Sequence, residues 1–137
     1  MILLDTSVLS AALRRRRPGP AESRIAEILS NLLTTPERIG VPGFVLQEVL
    51  SGIREIPQFE KIKAAILRGY PIVLADTQDH LLAATIVNAC ARKGATISPV
   101  DGLLAAITIN RNATLFTTDQ DFARASKLFP LRIFTIS

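Results

Sequence analysis

The sequence predicts an α/β domain built on a parallel sheet, and three observations carry that prediction. Short apolar runs of strand length alternate with segments of helical period, about five strands separated by helices. Alternation of this kind produces a parallel sheet with helices on both faces. The second observation is Ile2-Leu3-Leu4, an uninterrupted apolar run of the kind a strand buried on both faces carries. The third is composition. Of 137 residues 48% are apolar and 20% charged, with no Trp and one Tyr. That balance excludes a disordered chain, and the length predicts a single domain over residues 1–137.

The elements follow in order. After the first strand, Asp5, Thr6 and Ser7 lead into a helical pattern with Val8, Leu9, Ala12 and Leu13. Four arginines, Arg14 to Arg17, and then Pro18-Gly19-Pro20 read as a charged loop. Residues 21–33 form a helix, with Ile25, Ile28, Leu29 and Leu32 on one face, stopped by Thr34-Thr35-Pro36. A short strand over 39–41 precedes a helix over 42–51, with Pro42 near its start and Gly52 at its end. A helical stripe covers 59–67 and a strand 70–74. Asp76 or Thr77 caps a long helix to Lys93, closed by Gly94. Ser98-Pro99 opens a helix to Arg111, followed by a strand over 114–117, a helix over 122–128 and a strand over 132–136.

Several classes fall away. The longest apolar runs are far shorter than the ~20 residues of a membrane span, and no basic region precedes a long apolar segment as in a secretory signal. Cys90 is the single cysteine, so an internal disulfide is excluded and a reducing cytoplasm is expected. One Cys and one His make a poor zinc site. A net charge of +4 favours an anionic partner.

The acids are the informative feature. Right-handed crossovers align the carboxyl ends of parallel strands along one edge, where open α/β sheets place their ligands. Asp5 follows the first strand, and Asp119 follows Leu115-Phe116-Thr117-Thr118. Were those strands neighbours, the two residues would lie about one strand spacing apart, ~5 Å at the backbone. Asp121 lies two residues on, Asp101 sits in the first turn after Ser98-Pro99, and Glu48 lies one turn before Gly52. Converging carboxylates repel unless a cation joins them. Mg²⁺ and Mn²⁺ prefer such oxygen ligands. A cation held there activates water and stabilises charge on a phosphate. The chain has no glycine-rich phosphate loop, paired histidines or other convincing nucleophile and base, so metal-activated water is the chemistry its residues support.

Asp5-Thr6-Ser7, Glu48-Val-Leu-Ser-Gly52, Asp101-Gly-Leu-Leu-Ala-Ala106 and Thr117-Thr118-Asp119-Gln-Asp121-Phe122 resemble the four successive motifs of PIN-domain ribonucleases. Length and the lead-in from Gly94 to Asp101 are similar to VapC-type toxins of toxin–antitoxin pairs. The resemblance covers residues 1 to about 135; one motif alone is weak, and four in order are specific. It implies a three-layer α/β/α domain with strand order 3-2-1-4-5 and metal-dependent hydrolysis of RNA phosphodiesters. Asp5, Glu48, Asp101 and Asp119 would hold one or two Mg²⁺ or Mn²⁺ ions, with Thr6, Ser7, Thr117 and Asp121 as helpers. It further implies an RNA substrate, a cognate antitoxin and a homodimer. Two features depart from the family pattern: Gly102 after the third acid, inside a helix, and the four arginines of the first loop.

Each signal has a plainer reading. Asp5 alone would be a turn acid, and Glu48 an exposed helix residue. Ser98-x-x-Asp101 is a capping-box pattern, compatible with a metal role because a carboxylate at a helix amino end stays ionised. Asp119 or Asp121 could cap the helix that follows. Arg14 to Arg17 is a solvated run, or contacts RNA phosphate or an acidic antitoxin segment. His80 is expected at the surface and Cys90 in the core. The alternative function is a regulatory module that binds RNA or a partner without cutting. A receiver-type domain ranks below both, because Asp5 is single and the last strand lacks a following lysine.

Overall fold

A computed structural model describes residues 1–13 and 17–136. Strand β1 (Ile2–Leu4) leads into α1 (Thr6–Leu13); then come α2 (Pro20–Leu33), β2 (Ile39–Pro42), α3 (Gly43–Leu50), α4 (Ile56–Gly69) and β3 (Ile72–Val73). The second half runs α5 (Thr77–Arg92), α6 (Pro99–Asn110), β4 (Thr114–Phe116), α7 (Phe122–Leu128) and β5 (Arg132–Ile133). All strand pairings are parallel and the order is β3-β2-β1-β4-β5. The expected three-layer fold and strand order are therefore both present.

The layers follow from the period-2 alternation of the strands. Ile2, Leu4, Ile39, Val41 and Phe116 point to one face, where they pack with Val8, Leu9, Ile25, Leu29, Val45, Val49, Ile62 and Ile66 of α1 to α4. Leu3 and Leu115 point to the other, against Ile107 of α6 and the cluster of Ile86, Cys90, Leu104 and Phe122 from α5, α6 and α7. Leu3 and Leu4 are both fully buried, as a strand covered on two faces requires. Cys90 is in this second core and His80 is exposed.

Several element ends differ from expectation, each for a local reason. Pro42 closes β2 instead of opening a helix: it pairs with Val73, and its extended backbone precedes α3. The α4 helix starts three residues before Phe59, because Pro57 sits in its first turn, where the missing N–H costs nothing. Strands β3 and β5 shrink to two residues at the sheet edges, where only one neighbour supplies hydrogen bonds. Asp76 caps α5 in a complete capping box with Asp79. Gly94 ends that region in the left-handed conformation, φ +76°.

The register sets the position of the acids. Leu4 of β1 pairs with Phe116 of β4, and the Asp5 N–H donates to the Phe116 carbonyl at 3.0 Å. Asp5 and Thr117 are thus the first residues past two neighbouring central strands, at the carboxyl edge. The amino end of α3 and the loop after β4 lie along the same edge.

Candidate metal centre

Asp5 is buried and held on both carboxylate oxygens. The Thr6 N–H donates to Oδ1 at 2.7 Å, while the hydroxyls of Thr117 and Ser7 donate to Oδ2 at 2.6 and 3.1 Å. The same hydroxyls tie in the β4–α7 loop: Ser7 Oγ accepts from the Thr118 N–H and Thr117 Oγ1 from the Asp119 N–H. Asp119 in turn accepts from the Asp121 N–H at 2.9 Å. On the opposite side, Thr6 Oγ1 donates to Glu48 Oε1 at 3.3 Å. The residue that faces Asp5 across the strands is therefore Thr117, and Asp119 is reached through it.

Asp101 arrives from the other layer. Ser98 caps α6 by accepting from the Asp101 N–H at 3.1 Å, so the capping pattern in the sequence is real and places Asp101 in the first turn. Burial pushes the Asp101 carboxyl above its ordinary pKa; a Ser98 hydrogen bond opposes this, and the charges of Asp119, Asp5 and Glu48 raise it further. Three other acids thus act electrostatically on one carboxyl. Among the described residues, Asp101, Asp119 and Asp121 form a group in which one carboxylate oxygen from each lies within 4.8 Å of the others. Opposite ligands of an octahedral Mg²⁺ stand ~4.2 Å apart, so this all-oxygen set fits a hard cation. Asp121, expected as a helper, belongs to that group. Asp5 and Glu48 lie outside it, though within electrostatic reach of Asp101.

The family model of the PIN domain matches residues 2–128. This chain belongs to the PIN-domain family. No curated protein matches it significantly in sequence. Among solved structures, the PIN fold seen here is similar to FitAcB from Neisseria gonorrhoeae, with 23% identity, 98% of this chain and 97% of that chain covered, and a TM-score of 0.80. VapBC2 from Rickettsia felis, bound to a DNA fragment from the promoter, is similar over 100% of both chains at 22% identity and a TM-score of 0.75. A Mycobacterium tuberculosis toxin that cleaves the sarcin–ricin loop, VapC20, is similar at 16% identity over 91% of this chain and 95% of that chain, with a TM-score of 0.70.

Of the residues singled out in the sequence, Asp5, Thr6, Ser7, Glu48, Thr117, Asp119 and Asp121 form one hydrogen-bonded set, and Asp101 joins it through its charge. Arg17 is exposed; Arg14, Arg15 and Arg16 lie outside the described residues. Sequence reasoning missed Asp79 and Arg111. Asp79 is fully buried and accepts from the Asp76 N–H, Asn110 Nδ2 and Arg111 Nη1 at 2.9 to 3.0 Å, while Arg111 Nη2 donates to the Leu74 carbonyl at 2.8 Å. The Asp76-x-x-Asp79 spacing signals the first of these contacts; nothing local signals the ion pair. No helix among the described residues is long and apolar enough to cross a membrane.

Proposed function

We propose that this PIN domain is a metal-dependent endoribonuclease and the toxin of a toxin–antitoxin pair. The observation that carries the proposal is the convergence of Asp101, Asp119 and Asp121 within 4.8 Å, with Asp5 and Glu48 adding their charges beside them. So many carboxylates at one sheet edge repel one another unless cations hold them. One or two Mg²⁺ or Mn²⁺ ions match the oxygen-only donors. A cation bound there lowers the pKa of water and offsets negative charge on a phosphate.

The residues of the chain divide the remaining work. Asp101, Asp119 and Asp121 would hold one cation, and Asp5 and Glu48 would complete its ligands or those of a second ion. Asp5, whose orientation is set by Thr6, Ser7 and Thr117, forms the fixed wall at the sheet edge. Glu48, steadied by Thr6, closes the side next to α3. A cation held by these residues would offset charge on a phosphodiester brought to this edge. The likeness to VapBC-5 from Mycobacterium tuberculosis, a member of the VapBC family of toxin–antitoxin systems, supports a cognate antitoxin as a partner.

The decisive experiment is cleavage of RNA by the purified protein with Mg²⁺, beside Asp5→Asn and an EDTA control. Wild-type cleavage that both changes abolish is expected. Equal cleavage by wild type and Asp5→Asn would overturn the mechanism. Growth arrest on expression, relieved by Asp101→Ala, tests the toxin role.

A further inference from the structure

Gly102 follows Asp101 within α6, where glycine weakens a helix by ~1 kcal/mol relative to alanine. The fold shows what it does there. Gly102 is buried against α5, and a Cβ at this position would stand 2.7 Å from Val87 Cγ2 and 3.2 Å from the Ala83 carbonyl oxygen. The first distance falls about 0.7 Å short of ordinary contact. The second is to backbone, which cannot rotate away. The two helices therefore cross at Gly102, one residue from Asp101.

The far end of α6 is pinned. Arg111, just past its last turn, grips buried Asp79 of α5 at 3.0 Å and the Leu74 carbonyl at 2.8 Å. Val87 is stiff at χ1 and the Ala83 oxygen is backbone, so with the far end fixed a bulkier residue at 102 pushes on the amino end of α6, which bears Asp101. A shift of that size exceeds the ~0.2 Å within which metal–ligand distances are held.

We propose that Gly102 is a positioning residue: by letting α6 close on α5 it sets the depth at which Asp101 meets Asp119 and Asp121. The proposal rests on the metal-site reading above. It predicts that Gly102→Ala binds Mn²⁺ about tenfold more weakly than wild type, the size of loss that disturbed ligand support brings.

Isothermal titration of Mn²⁺ into wild type, Gly102→Ala, Val87→Ala and the double variant tests it, with no dependence on RNA cleavage. Val87→Ala removes the atom met at 2.7 Å. The double variant should recover affinity to within about threefold of wild type, and Val87→Ala alone should match wild type. Gly102→Ala binding as wild type does would overturn the proposal. So would a folded double variant that stays tenfold weaker. Should Gly102→Ala not fold, the double variant decides alone. A wild type that takes up no Mn²⁺ would overturn the metal-site reading and this proposal together, whereas normal wild-type binding matched by Gly102→Ala overturns only the latter.

Discussion

Asp79 has no exposed surface, and both of its carboxylate oxygens accept hydrogen bonds. Burial alone would raise its pKa; the hydrogen bonds from the Asp76 backbone, Asn110 and Arg111, with the guanidinium charge, outweigh that and hold it below the ordinary carboxylate range. Its contribution to stability is thus fully present above the unfolded pKa and is lost as pH falls through the lower folded value. Asp79→Ala, which strands Arg111 and Asn110, should cost about 3–5 kcal/mol by urea denaturation at pH 7. Asp101 has the opposite sign. Its raised pKa means the folded state holds the proton more tightly, so its ionisation costs stability above that pKa and the cost disappears as pH falls. Asp101→Asn should therefore raise the Tm of EDTA-treated protein. Added Mn²⁺ should raise the Tm of wild type and not of Asp101→Asn. Thr117 serves two acids with one hydroxyl, so Thr117→Val should lower stability by about 1–3 kcal/mol and RNA cleavage by tenfold or more, read by denaturation and by rate.

At the scale of elements, the acids are delivered by secondary structure that local sequence specifies. The Ser98 cap orients the first turn of α6, the capping box of Asp76 and Asp79 starts α5, and the β1–α1 turn carries Asp5, Thr6 and Ser7 in one short stretch. Asp76→Ala should cost about 1 kcal/mol, measured as a shifted urea midpoint with unchanged slope, because it removes one half of the box while Asp79 keeps its arginine. Serine and aspartate at these spacings are legible in sequence because a cap is a contact within four residues. The meeting of α5 and α6 is not legible in that way. Gly102 reads as a weak point of a helix until Val87 and Ala83 are seen against it, fifteen and nineteen residues earlier. The edge strands β3 and β5 were overestimated for a similar reason. Their apolar runs continue, but an edge strand has one neighbour to hydrogen-bond with, and the pairing covers two residues in each.

For the whole molecule, a net charge of +4 coexists with a cluster of acids. Phosphate binding should depend on the basic residues and the chemistry on the acidic edge. Replacing Arg14 to Arg17 by serine is expected to weaken binding of long RNA and flatten its salt dependence, as followed by fluorescence anisotropy between 50 and 200 mM salt. The layered fold was legible because burial imposes periods: Ile2-Leu3-Leu4 and the stripe of Ile25, Ile28, Leu29 and Leu32 can be satisfied only between or against other layers. The motifs from Asp5 to Asp119 were legible as residue types in order, and through them the PIN family. Strand adjacency was not written in any one segment, because parallel pairing joins residues about a hundred apart, as with Leu4 and Phe116. Side-chain distance was hidden too, so Asp121 read as a helper and stands within the tight acidic group. The elements, their caps and the supply of acids were legible in the chain, since each depends on neighbours along it. Contacts between elements distant in the chain bring Asp121 beside Asp101 and Asp119, place Thr117 between Asp5 and Asp119, and let Asp79 and Arg111 pin α6, and no local stretch encodes them.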